Sequence, residues 1–124
     1  MKTRPLGNTG VEVSALCLGA MFFGSKNDTA TSYALLDQYV DAGGTFIDTA
    51  NIYGMGVSER ILGKWGRRDI HLATKCGIVT GPPRAVRNDE PYIRQCLEES
   101  LRRLKREHVE LYYIHRRPPE IPVE

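Results

Sequence analysis

The sequence is short of several things. It has three cysteines in 124 residues, Cys17, Cys76 and Cys96, widely spaced and with no C-x-x-C pair among them. That leaves neither a zinc-ligand pattern nor a disulfide framework, and a reducing, cytoplasmic setting fits best. Charge is not biased: 17 Lys and Arg against 15 Asp and Glu give a formal net charge of +2. No basic stripe interleaved with aromatics is visible, so neither nucleic acid nor a membrane surface is an expected partner. No apolar run is long enough to span a bilayer, and Met-Lys-Thr-Arg-Pro at the start is not followed by the apolar stretch of a signal peptide.

What remains is an ordinary balance for one globular domain, 41% hydrophobic and 26% charged. The one local excess is Arg102, Arg103, Lys105 and Arg106. With Glu98, Glu99 and Glu107 beside them, they read as a solvated mixed-charge helix face rather than a phosphate site.

Along the chain, periodicity alternates between strand and helix. Thr3 to Leu6 and Val11 to Val13 flank Gly7-Asn8-Thr9-Gly10, a hairpin signal. Ala15-Leu16-Cys17-Leu18, closed by Gly19, is apolar on both faces and suits a buried parallel strand. Thr29 to Asp41 places Tyr33, Leu36 and Val40 on one helix face, and Gly43-Gly44 ends it. Thr45-Phe46-Ile47 is a second strand. Ser58 is the expected N-cap of a second helix that closes near Gly66.

Ile70 to Thr74 is a third strand, followed by a loop containing Gly81-Pro82-Pro83. Ile93, Leu97, Leu101 and Leu104 mark the apolar face of a third helix, entered through Asp89 and Pro91. Leu111 to Ile114 is a fourth strand, ended by His115. This alternation implies parallel βαβ units, in an open doubly wound sheet or in a (β/α)8 barrel. The glycine-rich turn Gly19 to Gly24 reads G-A-M-F-F-G, which is not the G-x-G-x-x-G dinucleotide fingerprint.

Polar residues gather where strands end. Asp48, Lys75 and His115 close three successive strands, and Tyr53 follows Asp48 on the same loop. In a barrel these positions share one mouth. Each has a plainer reading alone: Asp48 could cap the turn Thr49-Ala50-Asn51, and Lys75 could be the first solvated residue after its strand. Tyr53 could anchor a loop, and His115 could be a structural histidine. Together they form a coherent set. A phenol titrates at about pH 10, far from neutrality. A neighbouring ammonium favours its ionised form, and a carboxylate keeps the ammonium charged and oriented. A histidine can hydrogen-bond a carbonyl oxygen or pass a proton. Such a set suits proton delivery to an oxygen that becomes negative.

These residues sit in longer motifs. Leu6-Gly-Asn-Thr-Gly10, Val13-Ser14 and Leu18-Gly-Ala-Met21 come first. Asp41-Ala-Gly-Gly-Thr-Phe-Ile-Asp-Thr-Ala50 follows, with Tyr53-Gly and Gly56-Val-Ser-Glu59 behind it. Then come Ala73-Thr-Lys75, Ser100-Leu-Arg-Arg-Leu104 and Leu111-Tyr-Tyr-Ile-His-Arg116. In this order they resemble the aldo-keto reductase family, in its stress-protein and aryl-alcohol-dehydrogenase-like branch. The resemblance implies an α/β fold, a TIM barrel, and NADPH-dependent reduction of a small carbonyl substrate without a metal. It makes Tyr53 the proton donor, Lys75 its tuning cation, Asp48 the partner of Lys75, and His115 the residue that orients the carbonyl. Gly19, Ala20 and Met21, with Asp48, would lie at the cofactor.

Pro118, in Arg117-Pro118-Pro119, stands where the family usually has an acidic residue, whereas its proline and glutamate recur as Pro122 and Glu124. A whole family barrel needs about 250 residues or more. Residues 1–124 are therefore expected to be a partial domain, ending after the fourth barrel strand. The alternative expectation is a non-catalytic half-barrel that associates with itself, or with a complementary half, through its open sheet edges.

Overall fold

The computed structural model describes residues 1–79 and 85–120. The Gly81-Pro82-Pro83 loop and the Pro122 and Glu124 positions lie outside them. The chain opens with an antiparallel hairpin, β1 (Thr3–Pro5) and β2 (Glu12–Ser14), registered Thr3 to Ser14. Four parallel strands follow: β3 (Leu18–Gly19), β4 (Phe46–Asp48), β5 (His71–Cys76) and β6 (Leu111–Ile114). Helices α1 (Thr29–Asp41), α2 (Val57–Trp65) and α3 (Glu90–Leu104) connect them. The sheet order is β3-β4-β5-β6. It follows the chain with no reversal, which is barrel order and not the switched order of a doubly wound sheet.

Side chains close the N-terminal ends of α1 and α3. Asp28 caps α1 by accepting from the Thr31 amide at 2.8 Å, and Asp89 does the same for α3 from Tyr92 at 3.3 Å. Between helices and sheet lies a core that includes Phe23, Leu36, Ile47, Ile61, Leu62, Leu72 and Leu104. On the other face of the sheet, Val13 of the hairpin packs against Phe46 and Ala73, near the starts of the strands. The opposite end of that face, where the strands finish, stays open.

Five expectations need correction, one of them at Arg103, which leaves the solvated face of α3 to pair with buried Glu59. The first barrel strand is only Leu18–Gly19; Ala15 to Cys17 are exposed, Leu16 by 66%. Ser14 Oγ and the Leu16 carbonyl are held by the Tyr39 hydroxyl and by each other, and Ser14 is tied in turn to Thr45. With only β4 beside it among the described residues, β3 is an edge strand, and the exposure of Ala15 to Cys17 shows that this run is not buried.

Ser58 is not an N-cap. Gly56, at φ 86°, holds that position, and Ser58 lies inside α2. Asp48 and Lys75 do not follow their strands but belong to them. Finally, the buried stripe of α3 is Cys96, Ser100 and Leu104, flanked by half-buried Ile93, Leu97 and Leu101. The small side chains allow α2 and α3 to approach closely: a Cβ on Gly63 would fall 2.2 Å from the Arg103 carbonyl oxygen.

Candidate active site

Strand register explains which side chains meet. Gly19 pairs with Asp48, Asp48 with Ala73, and Lys75 with Tyr113. Side chains alternate along a strand, so Asp48, Lys75 and Tyr113 share the inner face while Ile47, Thr74 and Tyr112 face the helices. Asp48 and Lys75 are the last inner-face residues of β4 and β5. They therefore emerge together at the open end.

Lys75 is the hub. Its ammonium donates to Asp48 Oδ2 at 2.6 Å, to the Thr49 carbonyl at 2.7 Å and to Tyr53 Oη at 3.3 Å. An ammonium has three N–H donors, and all three are engaged. Its side chain is 15% exposed and that of Asp48 is 29% exposed. The ammonium also lies 4.9 Å from the Tyr53 ring centroid and 5.9 Å from that of Tyr113. Asp48 thus turns to Lys75, not to the turn after it. Thr49 and Asn51 instead extend the pairing with β5, their amides donating to the carbonyls of Ala73 and Lys75.

Because Tyr53 Oη accepts from Lys75, its own proton must point elsewhere. Among the described residues it meets no acceptor. Tyr53 opens a short 3₁₀ turn, Tyr53–Gly56, whose backbone passes through left-handed conformations at Gly54, Met55 and Gly56. This turn raises the phenol over Lys75.

The His115 ring meets that of Tyr53 edge-on, with centroids 5.8 Å apart at 90°. Its Nδ1 is buried without a hydrogen-bond partner among the described residues. Loss of solvent, then the Lys75 and Arg116 cations, hold the imidazole below its ordinary pKa; the Asp48 carboxylate opposes them. His115 is therefore biased toward the neutral form.

Tyr53 and His115 line an open cleft of about 500 Å³, with Met21, Phe22, Ile52 and Ile78 as its apolar walls. Lys26 sits at the cleft over the Phe22 ring, 4.4 Å from its centroid. Four residues expected to act together, Asp48, Tyr53, Lys75 and His115, are thus brought to one place. Of the residues expected at a cofactor, Met21 is 51% exposed at the cleft, and a Cβ added to Gly19 would meet nothing within 4 Å. Ala20 is buried: its amide donates to the Asp48 carbonyl, and its carbonyl accepts from Ser58 Oγ.

Sequence reasoning missed the Thr49 carbonyl and Tyr113. The first carries no side-chain signal. The second could have been found from its spacing, two residues before His115 on the same strand face.

The profile of the Aldo/keto reductase family matches residues 15–124. Among curated proteins, the chain is 42% identical over 125 aligned residues to YrpG of Bacillus subtilis, an uncharacterised oxidoreductase; this covers 89% of the chain and 38% of YrpG. It is 40% identical to the norsolorinic acid reductase stcV of Emericella nidulans, over 86% of the chain and 32% of that enzyme.

Among solved structures, PA4992 of Pseudomonas aeruginosa, classed as an aldo-keto reductase, superposes with a TM-score of 0.85 at 33% identity, covering 95% of this chain and 48% of its own. The holo form of aldo-keto reductase AKR11C1 from Bacillus halodurans gives 0.82 at 35% identity, covering 90% and 39%. The chain spans less than half the length of each of these relatives. It belongs to the aldo/keto reductase family of oxidoreductases and forms the N-terminal half of that family's (β/α)8 barrel.

Proposed function

We propose that this chain carries the proton-delivering half of an NADPH-dependent carbonyl reductase, with Tyr53 as the donor to the substrate oxygen. The reading rests on one observation above others: Lys75 donates to the Tyr53 oxygen, and the phenolic proton has no acceptor among the described residues, so it is free for a ligand. When that proton leaves, the phenolate forms beside an ammonium held by Asp48 at 2.6 Å. The ammonium is already in place where the negative charge develops, so little reorganisation is needed. Neutral His115 offers a second polar contact on the same cleft and orients a carbonyl oxygen toward Tyr53.

The cleft's fit supports the reading. Its volume and apolar walls suit one planar ring and a small carbonyl compound. Exposed Met21 would border that ring, while open Gly19 and part-exposed Asp48 lie beside each other at the strand ends behind the cleft. When bound, the nicotinamide cofactor would supply the hydride.

The test pairs turnover with binding. Wild-type chain should oxidise NADPH in the presence of an aldehyde. Tyr53→Phe should lose reduction by at least about a hundredfold while NADPH fluorescence titration shows little change in affinity. Undiminished turnover in Tyr53→Phe would refute the assignment.

A second reading, assembly through the sheet edges, draws on a separate observation. Leu16 is 66% exposed beside β3, and Tyr113 and Ile114 are 39% and 45% exposed on β6. Apolar exposure at both edges suits closure by further strands, from a second copy or a complementary half. Light scattering should then report a species larger than one chain; a stable monomer would contradict it.

A further inference from the structure

The first turn of α2 carries two consecutive polar side chains with no exposure at all, Ser58 and Glu59. Neither enters the chemistry above. Ser58 Oγ donates to the Ala20 carbonyl at 2.8 Å and lies 2.8 Å from Thr49 Oγ1. Glu59 Oε1 accepts from Thr74 Oγ1 at 2.6 Å, and its Oε2 accepts from Arg103 Nε at 2.6 Å. Arg103 in turn donates to Ser100 Oγ at 3.2 Å and faces Glu99 at 3.7 Å. Ala20 and Thr49 immediately follow β3 and β4, and Thr74 precedes Lys75 in β5. Two neighbouring side chains of one helical turn therefore hold the residues just past β3 and β4 and one within β5, each beside a residue of the proposed site.

The same turn of helix receives the chain from Tyr53. The link is three residues long, and all three are left-handed: Gly54 at φ 57°, Met55 at φ 56° and Gly56 at φ 86°. Met55 has no local preference for that conformation, so its surroundings must impose it. Arg103 packs directly under the turn, where a Cβ on Gly56 would approach its Cδ to 2.8 Å. A buried ion pair is a poor source of stability, since apolar residues of similar size are often as good or better. Its effect here is geometric: it joins α2, α3 and β5 beneath the segment that carries the phenol.

We propose that Glu59, clamped by Arg103 and Thr74, is a positioning residue that sets the Tyr53 hydroxyl over Lys75. Its kinetic consequence rests on the reductase reading; its geometric consequence does not.

The test uses the full chain and two variants. Glu59→Met with Arg103→Met replaces the pair by apolar side chains, and Thr74→Val removes one hydrogen bond at nearly constant shape. The readout independent of turnover is the NOE between the Tyr53 and His115 rings, which stand in edge contact. The double variant should keep the thermal midpoint close to wild type, lose that NOE, and lower kcat roughly ten- to hundredfold with KM little changed. Thr74→Val should weaken the NOE in the same direction, and it decides the matter should the double variant fail to fold. A folded variant with the NOE intact overturns the proposal whatever its activity. An NOE lost on substitution, in a wild-type chain that turns over no carbonyl compound, upholds the positioning role and removes the reductase reading instead.

Discussion

Removing one charge from the Asp48–Lys75 pair probes the centre of the site through stability alone. The contact is 2.6 Å long, with side chains 29% and 15% exposed. Fully exposed pairs contribute ~0–1 kcal/mol, and breaking a fully buried one costs ~3–5 kcal/mol. The Asp48 pair lies between these limits and is charge-assisted, so Asp48→Asn should cost about 2 kcal/mol. Lys75→Met leaves the Asp48 carboxylate and the Thr49 carbonyl without the ammonium, and should cost about the same. Once either partner has gone, the other has less to lose. The double variant should therefore cost less than the two single ones together, by about 1–2 kcal/mol. Urea unfolding of the four proteins measures this directly: each single substitution should lower the midpoint by about 1 M, with an unchanged slope. Additivity within about 0.5 kcal/mol would refute the coupling on which the site depends.

Two further outcomes follow from the same geometry. His115 is held below its ordinary pKa in the folded chain, so near pH 6.5 the unfolded chain binds more protons. Its contribution is fully present above about pH 6.5 and is lost as pH falls through the lower folded value. Stability should therefore fall on acidification through that window, less steeply in His115→Asn, and the His115 imidazole resonances, assigned as those missing from that variant, should titrate below about 6.5; titration of His115 above it would contradict the assigned environment. Gly63→Ala would ordinarily strengthen a helix interior by ~1 kcal/mol. Here the new Cβ would lie 2.2 Å from the Arg103 carbonyl oxygen, so a loss of about 2–3 kcal/mol is expected by thermal unfolding.

Much of this arrangement was legible in the sequence, for physical reasons that differ by element. Asp28 and Gly43 bracket α1, and its bounds agree with the periodic run Thr29 to Asp41. The hairpin was legible because glycine turns and short β runs coincide. Ala15 to Leu18 misled because an apolar run says nothing of whether both sides will be covered. Ser58 misled because its type suits an N-cap, while the left-handed turn from Gly54 to Gly56 starts the helix before it. Arg103 was grouped with its solvated neighbours, yet it pairs with a buried carboxylate 44 residues away. No local pattern encodes that contact. The site itself was legible as residue types at strand ends. Their sharing one mouth followed from the barrel reading; which side chains touch did not, because strand register puts Asp48, Lys75 and Tyr113 on one face, and register depends on pairing across the sheet.

The most direct measurement is a crystal structure of the chain with a small aldehyde or ketone bound. The account predicts the carbonyl oxygen in the cleft of Tyr53 and His115, about 2.7–3.0 Å from the phenolic oxygen and within hydrogen-bond distance of the imidazole. A ligand whose oxygen engages neither residue, with Lys75 turned away from Tyr53, would contradict it.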